Sequence, residues 1–423
     1  MVEVPAGQAP HPVRPHHPDG CPARIPQAGH RHGHGVPHHA VRVQQGHHER
    51  GMLVDPRRQQ AHEPHPRRLR GRLLQDLPHL RARGIMPHGA ASRPGRGPVI
   101  ALTGATGFLG SHIADELLDS GFRVRASIRP TSDLRWIADK DIESFPLDLS
   151  DAAACTDFVR GVRAVIHCAG RVTAPDDESY LRANVETTRC LLAACRREWH
   201  PQGGGSFLLI SSLAAHGPAA PARPAREDDP CRPVTGYGRS KVAAEKLLLE
   251  HDHPFRTVVL RPPALYGPRD RGFLPLVKAA LRGWTVRFTG PMAGLSLVHG
   301  RDAARAAVSL LETPEATGVF FVDDGHRGYD NKDLTSALAL ACGRKVRTVT
   351  VPLGLLKFIA GLLRPLTGGG ISVLRADRLK DLEVCGWACD GSRLGAATGF
   401  SAAHDAASGF ADTVAFYRRE RWL

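Results

Sequence analysis

At 423 residues the chain exceeds what one compact core usually holds, which points to two domains or to one domain with an appendage. The formal charge of +14 is unevenly spread: residues 1–97 hold fifteen Arg, no Lys, six acids and 14 of the 23 His. The rest, near +5, is ordinary for a soluble enzyme and predicts no nucleic-acid partner, and no run of about 18–20 apolar residues is present to span a bilayer.

Residues 1–97 lack hydrophobic periodicity and are dense in Pro, His, Arg and Gly, so they bury too little apolar surface to offset ordering entropy and are expected to be disordered. Tracts such as His30-Arg-His-Gly-His34 allow metal binding, and the Arg runs nucleic-acid binding, as weaker readings. With no Lys at all, the segment also has the composition of GC-rich DNA translated upstream of a true start, for which Met86 is the candidate. The nine Cys show no paired metal spacing and no secretory leader is read, which predicts a reducing cytoplasm and no metal.

From Pro98 the texture changes. Val99–Thr103 reads as a buried strand and Phe108–Ser120 as an amphipathic helix closed by Gly121. Strands follow near Val124–Ile128, Ala164–Cys168, Phe207–Ser211 and Thr257–Leu260, separated by helices near Asp151–Arg160, Ser179–Arg197 and Tyr237–Glu250. That alternation implies right-handed crossovers and an α/β fold: a Rossmann-type, doubly wound parallel sheet. The dinucleotide-binding domain is expected at 98–262, with late sheet strands from 286–323. A smaller, mostly helical substrate-binding part would occupy 263–423, interleaved with the sheet. Within it, Val351–Leu366 reads as a packed amphipathic helix, with contact to a membrane surface or an apolar substrate as the alternative.

Gly104, Gly107 and Gly110 sit where the first strand turns into the first helix, as a dinucleotide pyrophosphate requires for close backbone approach. The second strand ends without an acid to accept from a ribose 2′-hydroxyl. Arg129 stands there instead, suited to a 2′-phosphate, so NADP(H) is expected over NAD(H). Asp148 and Leu149, between the strands near Val124–Ile128 and Ala164–Cys168, are candidates for the adenine edge.

Moving a proton to or from an alcohol oxygen at neutral pH calls for a phenol made more acidic than its ordinary pKa of about 10. Tyr237 and Lys241, four residues apart, share one helical face, so Tyr237 is the candidate acid/base and Lys241 the adjacent charge. Ser212, after the strand at Phe207–Ser211, is placed to donate to the substrate oxygen, with Ser211 as the alternative donor. Asn184 is a candidate to support a relay water.

With these residues in hand, the stretch from about Val99 to about Ala307 resembles the extended short-chain dehydrogenase/reductases, the epimerase/dehydratase superfamily. The resemblance rests on Thr103-Gly-Ala-Thr-Gly-Phe-Leu-Gly110, His167-Cys-Ala-Gly170, Ser211-Ser212, the Tyr237/Lys241 pair, Leu260-Arg-Pro-Pro-Ala-Leu-Tyr-Gly-Pro268 and Val298-His-Gly-Arg-Asp302. It implies hydride exchange between a nicotinamide and a secondary alcohol or its ketone. Implied cofactor contacts include Thr106, Phe108, Leu109, Ala169 and Gly170, the pair Tyr237 and Lys241 itself, and Pro262 and Pro263 at the nicotinamide end. A homodimer through the helices carrying Asn184 and Tyr237 is implied as well. Ser212-Leu213-Ala214 stands where sugar-nucleotide dehydratases tend to carry Thr-Asp-Glu. Ala264 and Leu295 stand near the Asn and Arg with which epimerases hold a diphosphate. These departures favour an apolar substrate, as in dihydroflavonol reductases and 3β-hydroxysteroid dehydrogenases. A sugar-nucleotide epimerase is the runner-up, and a non-catalytic dinucleotide sensor the reading from another class.

Overall fold

A computed structural model describes residues 97–199, 204–355 and 380–423. The expected tail falls outside these residues, apart from Gly97, and so does the greater part of Val351–Leu366.

Seven parallel strands form the main sheet: β1 (Val99–Thr103), β2 (Arg123–Ile128), β3 (Ile142–Pro146), β4 (Ala164–His167), β5 (Ser206–Ile210), β6 (Arg256–Arg261) and β10 (Gly318–Phe321). Their order is β10-β6-β5-β4-β1-β2-β3, so the chain reverses its direction of winding between β1 and β4. In an open parallel sheet such a switch leaves a crevice outside the carboxyl ends of the strands.

Strand alternation divides the core in two. Ile100, Leu102, Ile166, Leu208 and Ile210 face helices α1 (Phe108–Asp119) and α8 (Gly300–Glu312), where Ile113, Leu117 and Val308 meet them. Ala101, Val165, Phe207 and Leu209 face the other way, toward Phe158 of α2 (Ala152–Val159), Leu191 of α4 (Thr187–Trp199) and Leu248 of α6 (Gly236–Leu249). Both faces being covered explains why these strands read as continuous apolar runs. Helix starts carry the expected signals: Asp151 accepts from the backbone N–H groups of Ala153 and Ala154, and Thr235 from that of Gly238.

The helix predicted over Ser179–Arg197 is less regular than its sequence suggests. It begins as α3 (Asp177–Leu181), widens into a π-helical turn at Arg182–Glu186, and continues as α4.

A third core lies after Pro263, where Tyr266 packs between Phe273 and Phe410 at ring separations of 6.0 and 4.7 Å. It draws on α7 (Leu274–Leu281), α9 (Asn331–Cys342) and α11 (Ala406–Arg419), with α5 (Leu213–His216) and α10 (Ser392–Thr398) lying elsewhere in the fold. The strands expected across 286–323 divide: β10 joins the main sheet, but β8 (Trp284–Thr289) and β9 (Leu297–His299) do not. After β6 the chain meets Pro262 and Pro263, which have no N–H to extend the ladder. It emerges as β7 (Ala264–Tyr266), and β9 pairs with that strand instead. Nor is the end of the chain mostly helical throughout: β11 (Arg347–Pro352), an alternation of Thr and Val, pairs in parallel with β8.

Candidate active site

The glycine turn lies at the crevice. Gly104 has φ of +76°, which a side chain would strain, and a Cβ there would come within 2.8 Å of the Ala169 nitrogen at the end of β4. A Cβ on Gly110 would meet the Gly104 carbonyl at 2.0 Å, so that residue lets α1 pack onto the turn. Gly107 is different: its added Cβ would meet only the Gly104 oxygen, at 3.3 Å, and no side chain caps the start of α1. The first amides of a 12-residue helix are therefore left for an anion, and the turn fits a dinucleotide pyrophosphate. Thr106 and Phe108 flank the opening half-buried, while Leu109 is buried beneath it.

Thr103 fixes the spacing of the two strand ends that flank the switch. Its Oγ1 lies 2.7 Å from His167 Nδ1 and accepts from the Ala169 N–H at 3.1 Å, which holds Ala169 and Gly170 beside the turn. Burial, with the nearby Lys241 charge, pushes His167 down to about 3, so the ring is neutral at physiological pH.

Helix α6 carries Tyr237 and Lys241. The Lys241 Nζ stands 6.0 Å from the centre of the Tyr237 ring. Lys241 is only 6 % exposed, and its Nζ donates to the Ile210 carbonyl at 2.9 Å. Burial drives its pKa below the ordinary lysine value. Ile210 ends β5, so the same contact ties Lys241 to the strand leading into Ser211 and Ser212. The Ser212 side chain caps α5, accepting from the Ala214 N–H at 3.2 Å, and its residue is half-buried.

Asn184 lies in the π turn and is 2 % exposed. Its Oδ1 accepts from the Arg171 N–H at 2.8 Å, and its Nδ2 donates to the Arg171 carbonyl at 3.1 Å and to the Ser240 hydroxyl at 2.9 Å. One amide therefore pins the loop after β4 to α6. The fit is tight: a Cβ on Gly170 would fall 2.8 Å from Asn184 Oδ1 and 3.4 Å from Lys241 Nζ.

The remaining expected cofactor residues range from exposed to buried. Arg129 is exposed just past β2, its backbone N–H donating to Ser132 Oγ at 3.0 Å. Asp148 is exposed too, but its carboxylate accepts from the Ser150 N–H and hydroxyl at 2.9 and 2.8 Å, bonds that lower its pKa. Leu149 is half-buried against the second core, and Pro262 and Pro263 are buried, the Pro262 carbonyl accepting from the Leu213 N–H at 2.8 Å.

Sequence reasoning missed a buried ion pair directly behind these residues. Glu245, one turn past Lys241, receives the Arg261 guanidinium through Nε at 3.0 Å and Nη2 at 2.6 Å, and also accepts from the Ser211 hydroxyl. The side chains are 3 % and 4 % exposed. The available signal was an acid four residues after Lys241 on the apolar side of α6, matched with an Arg closing an otherwise apolar strand. With its hydroxyl engaged there, Ser211 is withdrawn from the crevice as the alternative donor.

A parallel sheet of this order, with a glycine turn at the switch, defines a Rossmann-type fold of the kind that holds a nicotinamide dinucleotide. The NAD dependent epimerase/dehydratase family model matches residues 100–322, more than half of the chain, and the chain belongs to that family. It is an oxidoreductase of the extended short-chain dehydrogenase type. A ceramide reductase of Caulobacter vibrioides is 29 % identical over 77 % of this chain and 96 % of its own length. A UDP-glucose 4-epimerase of Vibrio cholerae is 28 % identical over 68 % of this chain and 90 % of its own. Among solved structures, that of gox2253 superposes with a TM-score of 0.62 at 26 % identity, covering 76 % of this chain and 98 % of the other.

Proposed function

We propose that the protein exchanges hydride between NADP(H) and a secondary alcohol or its ketone on a largely apolar substrate, with residues 263–423 forming most of the substrate-binding part. The observation that carries this is the buried ammonium of Lys241 beside the Tyr237 ring, together with the open amino end of α1. When bound, the nicotinamide supplies or takes up the hydride at the carbinol carbon.

The chain's own residues handle the oxygen. In the reducing direction Tyr237 donates its phenolic proton to the carbonyl oxygen, and the Lys241 ammonium stabilises the phenolate left behind. The Ser212 hydroxyl donates to the same oxygen while its lone pair stays engaged with the Ala214 N–H, which fixes its direction. Asn184 acts through position, holding Gly170 and Arg171 against α6. Arg129, exposed at the end of β2, meets a 2′-phosphate as a fork, which favours NADP(H).

An apolar substrate is supported by the likeness to a ceramide reductase and by the lining of the far side of the site. Leu295 packs against both the third core and the small cluster around Leu213, and Ala264 is half-buried in β7. Neither gives a diphosphate a charged anchor, which weighs against the epimerase reading. Leu181 on α3 and Leu249 on α6, 44 % and 43 % exposed, support a homodimer through these helices. The test is to follow cofactor oxidation by the full chain with long-chain ketones and sterol ketones, and to follow epimerisation of UDP-sugars by product analysis. The expected result is turnover with the apolar ketones and tighter binding of NADPH than NADH. Turnover confined to UDP-sugars overturns the substrate class, and tighter NADH binding overturns the cofactor preference.

A further inference from the structure

The two-stranded sheet β8/β11 leaves large apolar side chains exposed. In register, Val286 lies beside Val349 and Phe288 beside Val351, so these four side chains share one face with Trp284. The other face carries Thr285, Arg287, Thr348 and Thr350. On it Thr285 is 3 % exposed and the Thr348 hydroxyl lies 3.4 Å from that of Thr335 on α9, while Arg287, Thr348 and Thr350 are exposed. The apolar face points out, with Trp284 49 %, Val286 41 % and Val349 40 % exposed. A half-covered sheet ordinarily buries its apolar side, and a contiguous apolar face left in water marks a surface that meets something else.

Charge identifies the partner. Segments 275–297 and 343–355, which supply both strands and their flanks, contain six Lys and Arg and no Asp or Glu. Arg347 lies on the apolar face beside Trp284, and Arg282 and Lys345 are exposed at the same end of the two strands. A second copy of the chain docked on this face would set arginines against arginines. A surface that is negative at its rim and hydrocarbon beneath satisfies both features, and Trp is the side chain best suited to the boundary between them.

We infer that the outer face of β8/β11 docks on an anionic lipid bilayer, seating Trp284, Val286 and Val349 at the level of the head groups while the surrounding arginines meet lipid phosphates. Among the described residues no helix is long and apolar enough to cross a membrane, so this face is seated on the bilayer surface. The inference stands apart from the substrate reading, since it comes from a surface and not from the crevice.

The experiment is co-sedimentation of the full chain with vesicles of phosphatidylcholine and phosphatidylglycerol in equal amounts, against vesicles of phosphatidylcholine alone. The anionic vesicles are expected to bind the protein and to release it as salt is raised. Val286→Glu is expected to weaken binding by about tenfold, and Arg347→Gln by about fivefold. The fifteen arginines of residues 1–97 can attract anionic vesicles by themselves, so the comparison of variants decides, not binding as such. Both side chains lie at the surface, and an unchanged cofactor dissociation constant confirms that each variant is folded. Binding that is equally strong in Val286→Glu overturns the inference, as does failure of the parent to bind. A dimer of the lipid-free protein that Val286→Glu abolishes assigns the face to a second copy instead, and also overturns it. None of these readouts depends on turnover, so they are separable from the fate of the proposed reaction.

Discussion

Two buried charges lie one turn apart on α6 and are treated in opposite ways. Glu245 is matched: a guanidinium fork and a serine hydroxyl surround it, far from solvent. Lys241 is buried just as deeply, but its hydrogen bond goes to a neutral carbonyl, and desolvation pulls its pKa down. Burying an ion without a full counter-charge costs stability, and proteins retain such groups where chemistry uses them. The contrast separates a charge that holds the fold in place from one held for a ligand, and it can be tested from both ends.

The largest effect is expected at the residue that Lys241 serves. Tyr237→Phe should lower kcat by about a thousandfold while leaving the cofactor dissociation constant nearly unchanged; turnover close to that of the parent eliminates Tyr237 as the acid/base. Glu245→Ala comes next and is a stability effect. It strands Arg261 in the core, and chemical denaturation should show a loss of about 3–5 kcal/mol. Lys241→Met should show the converse, with stability equal to or above that of the parent and kcat depressed; a large stability loss at this position would erase the distinction drawn here.

Acid sharpens the comparison further. His167 and His112 are both held at about 3 by burial, against an ordinary value of 6.5. Unfolded histidines bind protons below that ordinary value, whereas the folded ones do not, so their share of stability is intact above it and is lost as pH falls toward 3. Between pH 7 and 5 each should remove about 2 kcal/mol. A denaturation midpoint flat across that range contradicts neutral burial. The smallest effect is expected at the surface: Arg129→Ser should raise the KM for NADPH by about tenfold and leave that for NADH unaltered, and equal changes for both cofactors remove the 2′-phosphate contact.

What the sequence disclosed follows from the range over which its signals act. Strands β1, β4, β5 and β6 and the helices between them lie within a residue or two of where their apolar runs and helical periods placed them, because covered parallel strands and their crossovers leave local patterns. The glycine turn and the spacing of Tyr237 from Lys241 are equally local. Less was legible after Pro263, where strands of three to six residues pair in two small sheets of their own. Nothing near β8 announces that β11, some sixty residues on, will lie beside it. The Glu245/Arg261 pair was hidden for a related reason. A charged residue on a helix reads as solvent-facing until its partner, 16 residues away, is seen to point inward.

The π turn at Arg182–Glu186 has a mechanical consequence. One surplus residue rotates everything before it by about 100° relative to a continuous α-helix, so the α3 face bearing Tyr180 and the α4 face bearing Leu191 are aimed independently. Removing a single residue between 182 and 186 would let the segment relax into uninterrupted α-helix. Tyr180, now 6.1 Å from the Tyr237 ring, would swing away, and the amide of Asn184 would leave the loop it clamps. In this helix, length is a functional parameter: a shorter one would pack better and lose its aim.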